Sequence, residues 1–132
     1  MLLSIRNKTT ARALNKQFAV CFPYLKLQFF QQRHSEGEGS APVQQLAMHL
    51  SLGEQLPGVT EGVFRFIPTL SVGEFEQRLQ GEHGIPVQVF RKSGNLWLQT
   101  VQTDHLSLEQ QNEKGKEASY PVRQFNLHTL FL

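Results

Sequence analysis

The chain has 132 residues, 39% of them apolar and ten of them phenylalanine, enough for one compact interior and too apolar for a disordered chain. No apolar run approaches the ~20 residues that a membrane-spanning helix needs, and Met1-Leu2-Leu3 runs at once into Arg6 and Lys8, so neither a membrane span nor a secretory leader is expected. The net charge of +2 hides an asymmetry: Arg6, Lys8, Arg12, Lys16, Lys26 and Arg33 all precede the first acidic residue, Glu36, and the 11 acidic residues all follow. A single cysteine, Cys21, forms no internal disulfide, which fits a reducing, cytoplasmic setting.

In chain order, Leu3 to Lys8 predicts a strand and Thr9 or Thr10 a helix cap. Ala11, Leu14 and Phe18 then form an apolar helical stripe that Phe22-Pro23 stops. Tyr24 to Phe29 alternates as a strand, followed by a long loop from His34 to Pro42 and a weak return strand over Gln44 to His49. Ser51 caps a further helical turn. Gly62 to Ile67 is the next strand, ended by Pro68. Ser71 with Glu74 reads as a capping box, and Val72, Phe75 and Leu79 share one helix face up to Gly84. Val87 to Phe90 and Leu96 to Val101 flank the turn residues Lys92-Ser93-Gly94-Asn95, a hairpin. Ser107 caps a last short helix through Asn112. Glu113 to Glu117 is polar, and Val122, Phe125, Leu127, Leu130, Phe131 and Leu132 make an apolar end that suits an edge strand, a docked tail or contact with a neighbouring chain.

This order of elements occurs twice. His49-Leu50-Ser51-Leu52-Gly53-Glu54-Gln55 recurs as His105-Leu106-Ser107-Leu108-Glu109-Gln110-Gln111, and the Ala11, Leu14, Phe18 stripe recurs as Val72, Phe75, Leu79. Unit one is residues 1–57, unit two 58–112, and 113–132 is an extension without a counterpart. Units of ~50 residues bury too little apolar surface to stand alone. The expected fold is therefore a single α+β domain, 1–132, of internally duplicated β-α-β-β units sharing one core, with a mixed sheet and helices on one face. The expected core is Ile5, Leu14, Phe18, Leu25, Leu27, Phe64, Phe66, Phe75, Leu79, Val87, Val89, Leu96 and Leu98.

The stretch Val89-Phe90-Arg91-Lys92-Ser93-Gly94-Asn95-Leu96-Trp97-Leu98-Gln99-Thr100, followed by Thr103-Asp104 and Leu108-Glu109-Gln110-Gln111-Asn112, resembles a family of short bacterial proteins without an assigned activity. The similarity covers roughly residues 1–115. Leu106 stands where that family's pattern has an aromatic, and the tail after Gly115 departs from it. The resemblance implies the same domain and no mechanism.

Chemistry-bearing motifs are sparse. Asp104 is the sole aspartate, and no Gly-rich phosphate loop occurs. The His34, Glu36, Glu38 spacing matches no zinc pattern, so no metal and no cofactor are assigned. The hairpin is the best binding candidate. Alternation places Phe90 and Trp97 outward beside Arg91 or Lys92. An aromatic pair edged by cations suits a homodimer interface, cover by the tail, or stacked bases of a nucleic acid whose phosphates meet Arg6, Lys8, Arg12 and Lys16. The first reading is thus a non-enzymatic interaction module, self-associating through the 87–101 hairpin, its other protein partners unknown and no membrane involved. A nucleic-acid-binding protein is the second, and a small enzyme using His49, His105 or Cys21 the third.

Overall fold

The computed structural model describes residues 1–119; the apolar end 122–132 lies outside the described residues. Among the described residues five strands and four α-helices form an α+β fold. Strands β1 (Leu2–Ile5) and β3 (Gly62–Arg65) make one antiparallel pair, and β2 (Leu25–Phe29), β4 (Val87–Ser93) and β5 (Leu96–Gln99) form an antiparallel sheet with β4 central. Helices α1 (Ala11–Cys21), α2 (Leu52–Gln55), α3 (Val72–His83) and α4 (Leu108–Ala118) connect and cover them. Among the described residues no helix is long and apolar enough to cross a membrane.

The expected single mixed sheet is replaced by two sheets, both wholly antiparallel. The two strands flanking each helix crossover lie in different sheets, and each pairs with a strand from the other half of the chain. Leu3 faces Phe64 and Leu27 faces Val89, the residue at the matching place in the other half. The hydrogen bonds match as well. Ala11 N–H donates to Leu50 O at 3.2 Å and Val72 N–H to Leu106 O at 2.9 Å. Arg12 N–H donates to Met48 O and Gly73 N–H to Asp104 O, at 2.8 and 2.7 Å. Leu27 N–H donates to Asn15 Oδ1, and Val89 N–H to Glu76 Oε2, both at 2.7 Å.

The heptapeptides work through their serines and glutamines. Ser51 Oγ accepts from Glu54 N–H and Ser107 Oγ from Gln110 N–H, each capping its helix. The Gln55 amide donates back to Ala47 O at 2.9 Å, and the Gln111 amide to Thr103 O at 2.7 Å. His49 and His105 are exposed. Gln111 is fully buried and also accepts from Arg91 Nη1, so its removal strands polar groups of the half-buried Arg91 and Thr103. Gln111→Ala is expected to cost about 2 kcal/mol, and Gln55→Ala, at a half-buried site, about half of that, as read by urea denaturation.

One continuous apolar cluster draws on both halves. Phe18 and Phe22 from the first meet Phe64, Phe66 and Phe75 from the second, with Phe18 and Phe75 centroids 5.2 Å apart. Eleven of the expected core residues are buried there, but Leu96 is 65% and Leu98 40% exposed. Both lie on the predicted sheet face. β5, however, pairs only with the Phe90–Ser93 end of β4, beyond the reach of the core.

Four local details differ from expectation. The return strand of the first half is a single bridge, Phe30 to Gln45, after a 3-10 turn over Pro42–Gln44. The hairpin turn is Gly94-Asn95 alone, with Gly94 at φ 59°, because β4 runs on to Ser93. The reciprocal capping box is at Ser107 and Gln110; at Ser71 only the serine oxygen receives a backbone N–H. Helix α4 passes Asn112 and continues to Ala118 because Gly115 lets it lie against Tyr24 and Arg91: a Cβ there would stand 2.9 Å from the Tyr24 carbonyl oxygen.

Candidate functional site

Alternation along the three-stranded sheet sorts its residues by face. Leu25, Leu27, Phe29, Val87 and Val89 point into the core. Lys26, Gln28, Gln88, Phe90, Lys92, Trp97 and Gln99 share the opposite face, where Lys26 stands across from Phe90, Lys92 from Trp97 and Gln99 from Phe90. The Lys26 ammonium lies 5.0 Å from the Trp97 ring centroid and 5.8 Å from that of Phe90, and the Lys92 ammonium is 5.5 Å from Trp97. Trp97 therefore carries two cations within cation–π range. Partial burial of Lys26 lowers its pKa below the ordinary 10.5.

Of the expected site residues, Phe90, Lys92 and Trp97 come together on this face. Arg91 does not. It shares parity with Val87 and Val89, so it points to the α4 side, where Nη1 donates to Gln111 Oε1 and Nε is buried with no partner among the described residues. The N-terminal cations also stay apart. Arg6 lines a cleft of about 240 Å³ with Glu61, while Lys8, Arg12 and Lys16 are exposed at and along α1. Among the described residues no hydrogen bond or ring contact joins these four to Phe90 or Trp97. Lys26 was not singled out by the sequence, although its alternation with Leu25 and Leu27 marks it as facing out from β2.

The loop between β2 and the 3-10 turn, residues 31–41, runs along one margin of this face. Gln88 Nε2 donates to Glu38 O at 2.9 Å and to Ser40 Oγ at 3.1 Å, and a Cβ on Gly39 would stand 2.8 Å from Gln99 Oε1. Gln88 is thereby buried, and Phe90, between Lys26 and Gln99, is half-buried. The residues weighed for catalysis are dispersed. Cys21 ends α1, half-buried against the core, and among the described residues no group of three His, Cys, Asp or Glu side chains is arranged to hold a metal ion. No family model matches the chain, and no curated protein or solved structure matches it.

Proposed function

We propose that the protein is a non-enzymatic interaction module, cytoplasmic and internally duplicated, that self-associates through the β4–β5 hairpin. The exposure of Leu96 and Leu98 on an edge strand whose other face carries Trp97 is the observation behind this reading. A strand with apolar residues on both faces that forms the edge of its sheet among the described residues is a template for strand addition. A second copy offers the same strand, and a twofold pairing closes the assembly at two chains. The matched hydrogen bonds of the two halves support the duplication.

Sedimentation of the wild type is expected to show a dimer. Leu96→Lys, at an exposed site, should weaken it by roughly tenfold or more, and Trp97→Ala should act in the same direction. A wild type that stays monomeric throughout its soluble range removes the self-association reading. The two ammoniums on Trp97 favour one further reading, a single strand of nucleic acid stacked on Phe90 and Trp97. It requires binding in a low-salt gel shift that weakens steeply as salt rises and is lost in Trp97→Ala.

A further inference from the structure

His34 ties the segment beside the hairpin face to α3. His34 N–H donates to Gln80 Oε1 at 3.1 Å, and His34 O accepts from Gln77 Nε2 and Gln80 Nε2 at 2.9 and 3.1 Å. Its ring lies between two backbone carbonyls: Nδ1 is 2.8 Å from Ser35 O and Nε2 2.7 Å from Val87 O. Carbonyl oxygens only accept, and neutral imidazole carries one N–H, so both contacts are satisfied together only by the imidazolium. The nearest counter-charge is the buried carboxyl of Glu76 on α3, 3.7 Å from Nε2.

We propose that one proton held between His34 and Glu76 latches the 31–41 segment across the margin of the hairpin face, and that its loss on raising the pH frees the segment and opens that face. The proposal deepens the hairpin reading and rests on it for what the opened face does. With the proton present, as imidazolium and carboxylate, the buried pair is neutral overall and both carbonyls receive an N–H. Without it, Glu76 is a bare buried anion, and one of the two carbonyls faces a ring lone pair. The surroundings sharpen this. Glu36 from the segment and Asp104 from the turn before α4 both act on Glu76 as like charges, Glu38 is engaged by Ser35 N–H, and the neighbouring cation, Arg33, is exposed. Burial first, and then Asp104 and Glu36, push the Glu76 pKa well above its ordinary 4.5.

Gly37 N–H donates to Asp104 Oδ2 outside the segment and Glu38 N–H to Ser35 O within it, so these amides report the segment's opening. Amide hydrogen exchange of His34, Gly37 and Glu38 in the full chain, corrected for intrinsic rates, is expected to lose protection by about tenfold or more between about pH 5.5 and about pH 8.5. Val72 N–H, bonded across to Leu106 O, should stay protected. In Glu76→Gln the segment's protection should lose most of its pH dependence. Flat wild-type protection overturns the latch, and so does a loss shared equally by Val72. Leu96→Lys separates the two readings: it should weaken association and leave the pH-dependent protection intact. Protection that responds to pH in a chain that never associates keeps the latch and removes the hairpin reading.

Discussion

Phe75→Ala is expected to remove about 3–5 kcal/mol of stability, a large part of the roughly 5–15 kcal/mol that holds a domain of this size. The Phe75 ring is fully buried, with centroids of Phe18 at 5.2 Å, Phe66 at 5.2 Å and Phe64 at 5.6 Å. Truncation loses the transfer free energy of the ring and leaves a cavity whose walls belong to both halves of the chain. Neither half can collapse into it without drawing the other along. Urea unfolding should therefore remain one transition at a lower midpoint, read equally by far-UV circular dichroism and Trp97 fluorescence. Val20→Ala, at a site 85% exposed, is the control and should change stability by less than about 0.5 kcal/mol. A loss below about 1.5 kcal/mol for Phe75→Ala, or two separate transitions, would contradict a shared interior.

The features of this fold that were legible in the sequence are local ones. Ser51, Ser71 and Ser107 each cap a helix because a short side-chain oxygen ahead of an apolar stripe reaches an open backbone N–H. Gly84 ends α3 at φ 68°, a left-handed conformation that glycine takes without strain. Strand partners were not legible. Alternation tells which face a residue occupies, and says nothing of which strand lies beside it, so β1 and β3 could not be matched from four residues each. Leu96 and Leu98 show the same limit: their face was read correctly, but where the core ends depends on how far β5 runs past it.

The His34–Glu76 pair was hidden for a different reason. Val72, Phe75, Glu76, Leu79, Gln80 and His83 all lie on the buried stripe of α3, and three of them are polar. Of these only Phe75 and Leu79 were read as core. A carboxylate and an amide at core positions of a helix demand partners, and those partners come from a loop that composition marks as solvent-exposed. The signal was present at Glu76 and Gln80; what it pointed to lay more than 40 residues away, at His34.

His34→Ala is the variant that tests this pair as a matter of stability, and its cost should depend on pH. Because the Glu76 pKa is raised, the folded chain holds a proton that the unfolded chain has released at every pH between the ordinary 4.5 and the raised value. Stability therefore falls as pH rises through that window, by at most about 1.4 kcal/mol per pH unit for one proton. In the wild type, as long as the pair keeps its proton, ionised Glu76 faces a cation 3.7 Å away. In His34→Ala no cation replaces it, while Glu36 and Asp104 remain. The variant is expected to lose about 1 kcal/mol relative to wild type where Glu76 is neutral and mainly hydrogen bonds are lost, and up to about 3 kcal/mol, the range for stripping one partner from a buried pair, where the variant's Glu76 is ionised while the wild-type pair still holds its proton. Adding Glu76→Gln to His34→Ala should flatten the profile. A loss that is the same at every pH across that window would mean that the buried carboxyl does not titrate there, and the latch would lose its proton.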